Sequence, residues 1–442
     1  MSNNRGQLPR KQMDRFTRPF VRFLRIEATA GGLLLLATLL ALLLSNSPWS
    51  IAYLSFWDMP AGFRLGGIAI AHSLKYWIND GLMTLFFFIV ALELKREMVL
   101  GELRDPRIAA LSAAGALGGM IVPPSLFFLL LGSGAGAQGW GTVMATDTAF
   151  LIGCLAIVGR RVPQSLRLFL LSLAIFDDVG AVLVVAIGYG GTLNWLALGL
   201  AGLGLAAVAG AGRLGIRSML IYFALGGAVW LAFYASGIHP TLTGLLLGLM
   251  TPAHSWVSDS RLHAILDRVV AYPPGEHWSG NTVDRQDLRR ARVAAREALS
   301  PLERLEIALH PWITFTVMPV FALANAGFPI LPAEVDGRLA AAIFIGFVFG
   351  KPIGVVVFSY LAVQARLATR PADLPWGILA AGAVLTGIGF TMALFIAELA
   401  FDPTLLNSAK LGIFSASIVS ATCGLSALAW LTSARRRRGG ST

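Results

Sequence analysis

Charged side chains are scarce in this chain. Of its 442 residues only 13% are Asp, Glu, Lys or Arg and 56% are hydrophobic, whereas a soluble globular protein carries about 25% charged residues. Cysteine is nearly absent too, because Cys154 and Cys423 are the only two and both fall in apolar stretches. These shortages exclude an ordinary soluble domain and a disulfide framework. The composition is that of a polytopic membrane protein, and the 48 glycines agree with closely packed membrane helices.

The apolar residues predict an all-α protein with twelve transmembrane helices in a single domain, residues 27–433. Basic tails, 1–26 and 434–442, flank this domain, and an outer loop at 46–75 and an inner loop at 253–308 interrupt it. The predicted segments are 28–45, 77–94, 108–131, 142–158, 168–188, 192–210, 216–236, 239–252, 309–328, 340–363, 376–399 and 411–433.

The net charge of +11 is distributed unevenly between the two sides of these segments. Of the 35 Lys and Arg, four (Arg64, Lys75, Arg338 and Lys410) fall in outer loops, Lys351 lies inside a segment, and the others fall in inner loops and tails. Positive residues are retained on the cytoplasmic side, so both termini are expected in the cytoplasm. The basic tails are topology signals that also suit anionic lipid. Nucleic acid is not an expected partner, because no basic face interleaved with aromatics exists.

The outer loop 46–75 is predicted to form a β-hairpin. Its two β-like runs are Ser50–Trp57 and Arg64–Ile70, and the Pro-Gly region Met59–Gly62 separates them.

The inner loop 253–308 is long and charged. Ser300 and Glu303 form a capping box with Pro301 at the first helical position, which predicts a short helix running into the ninth segment. Residues 271–285 are expected to be irregular.

Asp177 and Asp178 are the only charged residues between Leu168 and Gly188. A charge at the centre of a bilayer costs about 2.5–3.5 kcal/mol on insertion scales. Two adjacent carboxylates are therefore not explained by packing, and they indicate a path for an ion or a proton.

Two other segments contain plausible helix breaks. Thr146 and Asp147 follow a Gly-rich stretch in segment four, and Gly387 and Gly389 loosen segment eleven between threonines. Threonine can simply pack or bond to a preceding carbonyl, but non-helical backbone at membrane depth is tolerated beside protein or a water-filled cavity. Each break is the middle member of a triplet, helices 3–5 and 10–12, which predicts inverted repeats with interrupted helices 4 and 11.

Lys351 lies near the middle of segment 340–363, roughly 16 Å from either end at 1.5 Å per residue. A snorkelling lysine belongs near a segment end, so this one needs a buried counter-charge, and Asp177 or Asp178 is at similar depth. Adjacent aspartates point about 100° apart on a helix. One can pair with Lys351 while the other faces a cavity.

These residue types suit a small hard cation such as Na⁺, which prefers oxygen ligands. Burial raises the pKa of a carboxyl group, so protons and a cation can compete for one site near neutral pH. If the site loads two protons or one Na⁺, each cycle moves net charge, and the membrane voltage contributes about 2.3 kcal/mol per charge per 100 mV. No soft-metal site is apparent.

Nine motifs in order resemble the NhaA-type sodium/proton antiporters of bacterial inner membranes, over about Arg25 to Trp430. They are Trp77–Asp80, Leu92–Glu97, Ala145–Asp147, Ile175–Gly180, Gly237–His239, Leu309–Trp312, Phe321–Gly327, Gly350–Gly354 and Gly387–Met392.

The resemblance implies specific roles at the ion site. Discontinuous helices 4 and 11 cross at mid-membrane. Asp178 is the principal ligand of Na⁺ and H⁺, Asp147 and Thr146 help to bind the ion at this crossing, and Asp177 pairs with Lys351. Asp147 and Lys351 also compensate the facing helix ends.

The resemblance further implies an electrogenic exchanger that extrudes Na⁺, and also Li⁺, with no cofactor, no enzymatic activity and activation at alkaline pH. A cytoplasmic cluster of Glu93, Arg96, Glu97 and Glu306 gates it, and the outer hairpin is a homodimer contact. Asp80, His239 and His310 are further candidate site residues. A histidine at a loop boundary, such as His239, is more often solvated. The charges of Glu93–Glu97 also fit the end of a helix at the membrane interface, with i,i+4 pairing.

Several positions depart from the family pattern. The inner loop has an extra stretch around 270–295, Ile307 stands where a histidine is expected after Glu306, and Pro240 follows His239. These departures leave the ion site untouched but bear on pH activation.

Two alternative functions place different requirements on the buried charged residues. A sodium-coupled organic solute symporter would need a larger cavity and no buried lysine. An intramembrane aspartyl protease would need Asp147 and Asp178 as a dyad, and its Gly-x-Gly-Asp pattern is absent.

Overall fold

The computed structural model describes residues 27–65, 68–134, 136–214, 219–255, 257–270, 283–329 and 335–439. The predicted N-terminal tail 1–26 and the last three residues of the tail 434–442 lie outside this part. The α-helices are α1 (Glu27–Ser45), α2 (Ser50–Trp57), α3 (Leu74–Val99), α4 (Pro106–Leu131), α5 (Thr148–Val158), α6 (Gln164–Gly188), α7 (Trp195–Arg213), α8 (Met219–Ser236), α9 (Leu242–Met250), α10 (Asp259–Val270), α11 (Val283–Glu297), α12 (Pro301–Ala326), α13 (Gly337–Gln364), α14 (Trp376–Leu385), α15 (Phe390–Ala400) and α16 (Pro403–Gly439).

Short stretches of other helix types interrupt or extend these helices. Three membrane helices contain π-helical turns, at Trp77–Leu82, Ile313–Val317 and Gly346–Gly350, and a 3₁₀ helix, Ala137–Met144, precedes α5. Shorter 3₁₀ turns lie at Glu102–Arg104 and Gly159–Arg161. The π turn at Gly346–Gly350 ends directly before Lys351, which is notable because such turns often mark functional positions.

Within the described part of the chain, eight helices are long and apolar enough to cross a membrane: α3, α4, the segment Ala137–Val158, α6, α7, α12, α13 and Pro403–Ser433 of α16. Two bent pairs, α1 with α2 and α14 with α15, raise this number to ten. The protein is thus an all-helical, multi-pass membrane protein. The count of twelve stays a prediction, since the helix in segment 239–252 is only the nine-residue α9.

The described residues divide into two compact units. The first contains those up to Asn79, Leu111–Asp177 and those from Ile313 onward, and the second contains Asp80–Ala110 and Asp178–Trp312. Helices α3, α4, α6 and α12 each belong partly to both.

The outer loop contains one antiparallel hairpin, β1 (Pro60–Leu65) with β2 (Ile68–Ser73), in which Leu65 pairs with Ile68 and Pro60 pairs with Ser73. The turn predicted at Met59–Gly62 is wrong, because Pro60–Gly62 belong to β1. The prediction that Ser50–Trp57 is a strand is also wrong, because these residues form α2, bent by 119° from α1. Their aromatic and β-branched composition favours a strand locally. In the helix, however, the Tyr53 hydroxyl donates a hydrogen bond to the Leu323 carbonyl. Tertiary contact overrides such weak propensities.

In the inner loop the predicted capping box is confirmed. The Ser300 backbone N–H donates to Glu303 Oε2 (2.9 Å), and the Glu303 N–H donates to Ser300 Oγ (3.2 Å), at the start of α12. Residues 271–282 of the stretch predicted to be irregular lie outside the described part. The prediction for 283–285 is wrong, because α11 begins at Val283.

Close helix packing in the first unit places Lys351. A Cβ added to Gly118 of α4 would lie 2.1 Å from the Gly354 carbonyl oxygen of α13, and one added to Gly354 would lie 2.1 Å from the Gly118 carbonyl oxygen. Only glycine allows the two backbones to approach this closely. The contact sets α13 against α4 less than one turn after Lys351.

Candidate functional site

The chain is extended between the 3₁₀ helix Ala137–Met144 and α5. Ala145 (φ −80°, ψ 142°) and Asp147 (φ −85°, ψ 102°) have strand-like backbone angles, and Asp147 Oδ1 accepts the Phe150 N–H (3.1 Å). Asp147 is therefore the N-cap of α5, a position that aspartate favours because its carboxylate satisfies a free helical N–H. The sequence Thr-Asp-Thr ends one helix and starts the next.

A second interruption separates α14 from α15, which bend by 50° at residues 386–389. A Cβ on Gly387 would lie 2.6 Å from the Phe347 carbonyl oxygen, and one on Gly389 would lie 2.3 Å from the Phe347 ring. Phe347 is fully buried on α13. Both glycines are thus required by the close approach of α13 to this interruption.

The two interruptions contact each other through buried hydrogen bonds. The Asp147 N–H donates to the Ile388 carbonyl (2.7 Å), and the Thr391 N–H donates to Asp147 Oδ2 (2.9 Å), as does the Thr391 hydroxyl. One carboxylate therefore meets the N-termini of both α5 and α15, where the partial charge is positive. Thr391 is a site residue that the sequence interpretation missed, although it lies within the motif Gly387–Met392.

Lys351 and Asp177 form a fully buried ion pair, with 2.8 Å between Nζ and Oδ2. Lys351 Nζ also donates to the Met144 carbonyl, at the C-terminal end of the 3₁₀ helix. The structure thus puts the lysine where a negative partial charge and a carboxylate converge.

The Thr146 hydroxyl lies between two acceptors, 2.8 Å from Asp177 Oδ2 and 3.0 Å from the Thr386 carbonyl oxygen. A hydroxyl has one proton, so it donates to one acceptor at a time. When Asp177 is ionised, Thr146 can donate to it; when Asp177 is protonated, the carboxyl can donate to Thr146, which turns to Thr386. This arrangement makes the hydrogen bonding sensitive to the protonation of Asp177.

One buried carboxylate oxygen of this site is not hydrogen-bonded within the described part of the chain. Asp177 Oδ1 has no hydrogen-bond partner among the described residues, and Asp178, the next residue of α6, is 1% exposed. The part of the chain that the structure describes contains no group of three or more His, Cys, Asp and Glu arranged to hold a metal ion. Carboxylate, hydroxyl and carbonyl oxygens are the ligands of hard cations, so the chemistry of the site fits a hard cation.

The positions expected to gate transport lie together in the second unit. Arg96 forms an ion pair with Glu306 and a second one with Glu97 (3.0 Å), while His310 Nε2 lies 3.7 Å from Glu93. The cluster joins α3 to the first turns of α12. It is a network of acids around one arginine, with Glu306 buried.

Asp80 and His239 also face each other, with 3.6 Å between Oδ1 and Nε2. The other His239 ring nitrogen lies 2.8 Å from the Thr241 hydroxyl. The expectation that His239 is solvated is wrong, because the histidine is buried between α8 and α9 and both of its nitrogens have polar neighbours.

A buried charge cluster that the sequence interpretation did not find lies at the end of α15. Glu398 is 2.7 Å from Lys75 Nζ through Oε2 and 2.7 Å from Lys410 Nζ through Oε1. Two lysines that appeared as isolated outer-loop charges are thus paired through one carboxylate. Lys75 is separated from Glu398 by 323 residues, which leaves no local signal for that pairing.

The fold and the buried charges define a polytopic membrane protein with a cluster of charged side chains in its interior. The chain belongs to the Na⁺/H⁺ antiporter 1 family, whose model matches residues 21–428. It is 65% identical over 437 residues to Na⁺/H⁺ antiporter NhaA of Rhizobium meliloti (strain 1021), covering 99% of this chain and 100% of the relative. It is 56% identical to Na⁺/H⁺ antiporter NhaA 3 of Acidiphilium cryptum (strain JF-5), covering 98% and 97%. The solved structure of the sodium proton antiporter MjNhaP1 from Methanocaldococcus jannaschii is similar with a TM-score of 0.48 at 14% identity, covering 93% of this chain and 97% of that one.

Proposed function

We propose that this protein exchanges Na⁺ for protons across the bacterial inner membrane, with both termini in the cytoplasm. The observation that carries the proposal is the buried set of Asp147, Asp177 and Asp178 with one buried lysine, Lys351. The relatives at 65% and 56% identity are named Na⁺/H⁺ antiporters, which supports the same substrates here.

Exchange follows from competition for the carboxylates. Na⁺ binds the ionised carboxylates of Asp178 and Asp147 with the Thr146 hydroxyl, and its binding requires that protons leave. Protons arriving from the other side of the membrane then displace Na⁺. Alternating access of the site to the two sides converts this competition into two opposed flows, without a cofactor.

The ion pair of Lys351 and Asp177 couples the second proton. Protonation of Asp177 removes the negative partner of Lys351 and releases the Thr146 hydroxyl towards Thr386. Two protons moving inward for each Na⁺ extruded make the cycle electrogenic. Li⁺, a smaller hard cation, is a second substrate of the same oxygens.

The two interruptions are further proposed to be discontinuous helices that cross at mid-membrane within a twelve-helix, inverted-repeat fold. Asp147 bonded to the N-termini of both α5 and α15, and Lys351 bonded to the Met144 carbonyl, support this arrangement. They supply the opposite charges that facing helix ends require in a medium of low polarity.

Activation at alkaline pH is assigned to Arg96 with Glu93, Glu97 and Glu306. Ionisation of the buried Glu306 strengthens its pairing with Arg96 and shifts α3 relative to α12. The hairpin β1–β2 is proposed as a homodimer contact, because a two-stranded hairpin with free edges can pair with a second copy.

The test uses everted membrane vesicles from a host that lacks its own antiporters. Respiration establishes a pH gradient, NaCl is added, and a fluorescent dye reports the gradient from mildly acidic to alkaline pH. We expect Na⁺ to collapse the gradient, Asp178→Asn to abolish the response, and the exposed control Asp373→Asn to retain it. An active Asp178→Asn protein would show that the site is wrong.

Two other outcomes bear on the details. A collapse confined to alkaline pH supports gating by the Arg96 cluster. No response to Na⁺ or Li⁺ from correctly inserted protein contradicts antiport and favours a sodium-coupled solute symporter, to be examined by screens of organic solutes.

A further inference from the structure

Helix α11 lies in the extra stretch of the inner loop. Its C-terminal end is hydrogen-bonded to the chain that follows α9 and forms an ion pair with the start of α12. Only residues 298–300 separate it from α12, so its last Cα lies within about 15 Å of Pro301. Glu297 forms an ion pair with Arg304 of α12 (3.1 Å), its carbonyl accepts the Val257 N–H (3.4 Å), and the Leu302 N–H donates to the Pro252 carbonyl (3.2 Å). These bonds hold the end of α11 beside the chain leaving α9 and entering α12.

Helix α12 is longer than the hydrocarbon core of a bilayer is thick. The span Pro301–Ala326 has 26 residues, or about 39 Å of helix, against a hydrocarbon core of about 30 Å. Its first turns therefore extend into the headgroup layer. Since the end of α11 is bonded to those turns, α11 lies close to the lipid headgroups.

The charges of α11 are segregated around its axis. Four of its five arginines, Arg285, Arg289, Arg292 and Arg296, occupy positions i, i+4, i+7 and i+11, which fall within about 60° of one another. The acidic positions 284, 287 and 297 fall outside this stripe. The positive-inside rule depends only on the number of basic residues in a loop. It does not require the arginines to lie on one face of a helix, so it does not explain the stripe.

Packing leaves the middle of the stripe outward. Ala291, Ala294 and Glu297 face the protein and are buried, whereas Arg289 and Arg292 are exposed. Leu288 (38% exposed) and Val293 (55% exposed) border the stripe on its two sides. A basic face with apolar residues beside it is the pattern of helices that lie in a membrane interface.

We propose that α11 lies on the membrane surface and binds anionic lipid headgroups through the stripe Arg285, Arg289, Arg292 and Arg296. Guanidinium groups form paired hydrogen bonds with phosphate, which favours phospholipid over a simple counter-ion atmosphere. Leu288 and Val293 enter the boundary between headgroups and acyl chains. The inner loop is then a lipid-binding element, whatever ion the transmembrane site carries.

The experiment uses the full-length protein, with Cys154 and Cys423 replaced by alanine and a fluorophore at Leu288→Cys. It is reconstituted in nanodiscs of phosphatidylcholine alone or with phosphatidylglycerol, each containing a lipid with a nitroxide quencher near the headgroup. We expect stronger quenching in the anionic bilayer, reversed by high salt. The double variant Arg289→Gln with Arg292→Gln should lower the equilibrium constant for binding of α11 to the anionic bilayer roughly 30-fold. Each arginine near an anionic surface contributes about a factor of five.

A matched control removes the same charge elsewhere in the loop, by Arg261→Gln with Arg290→Gln, and should keep most of the quenching. Equal quenching in neutral and anionic bilayers, or an equal loss in the control, overturns the proposal. Absence of quenching in every bilayer also overturns it, since the stripe would then face water or a soluble partner. Monodisperse elution of each variant establishes that it is folded.

Discussion

At the scale of single residues, the pair of Lys351 and Asp177 shows how the site keeps charge in the protein interior. Both side chains are completely buried and 2.8 Å apart. Desolvation of each ion is costly, and the attraction between them offsets this only while both partners are present. The pair is therefore a condition for folding as well as a part of the proposed proton path.

We predict that Lys351→Ala lowers the free energy of unfolding by about 3–5 kcal/mol, because it leaves the Asp177 carboxylate uncompensated in a medium of low polarity. Thermal unfolding of the detergent-purified protein measures this as a lower Tm. The double variant Lys351→Ala with Asp177→Asn should recover part of the loss, because no unpaired ion remains. A single variant with an unchanged Tm would contradict the pairing.

The charged residues of the site could be predicted from the sequence, and their partners only in part. Asp177, Asp178 and Lys351 interrupt apolar runs, and the cost of burying a charge makes such positions conspicuous in a single sequence. Thr391 and Glu398 were missed because their partners Asp147 and Lys75 come from distant segments. A threonine in a helix gives no pattern that separates a ligand from a packing residue.

At the scale of elements, the interruption between α14 and α15 depends on the absence of side chains at two positions. Its glycines were predicted as helix breakers, and the structure adds that they admit the α13 backbone and the Phe347 ring. The strand at Ser50–Trp57 failed for the opposite reason, since a local pattern was overruled by contact with a distant helix. Sequence patterns identify where a helix is weak more readily than what packs there.

We predict that Gly387→Ala destabilises the protein by about 1–3 kcal/mol, because the new Cβ would lie 2.6 Å from the Phe347 carbonyl oxygen. The control is Gly377→Ala in α14, where a Cβ would meet nothing within 4 Å, and which should be neutral or slightly stabilising. Thermal unfolding and Na⁺-driven gradient collapse are measured for both. Equal stability of the two variants would show that the interruption tolerates a side chain.

The charge cluster at the other end of α15 gives this short helix a second attachment. Asp147 holds its N-terminus through Thr391, and Lys75 and Lys410 hold Glu398 in its last turns. A helix of eleven residues has little stability of its own. Contacts at both ends therefore set its position, and with it the position of Thr391 against Asp147.

At the scale of the whole molecule, the balance of buried charge decides whether transport responds to voltage. The proposed site holds three carboxylates and one lysine in both loaded states. Two protons carry one more positive charge than one Na⁺, so the two states differ by one charge. Moving one net charge per cycle across the membrane is worth about 2.3 kcal/mol per 100 mV. A neutral exchange would gain nothing from the same voltage.

We therefore predict that exchange in proteoliposomes depends on membrane potential. With Na⁺ and proton gradients held equal, a potassium diffusion potential set by valinomycin should accelerate exchange in one polarity and slow it in the other. A difference of 100 mV should shift the equilibrium Na⁺ gradient roughly 50-fold, because about 2.3 kcal/mol is added per cycle. A gradient that is the same at every potential would mean that one proton is exchanged for each Na⁺, and Asp177 with Lys351 would then be a structural pair rather than a carrier of the second proton.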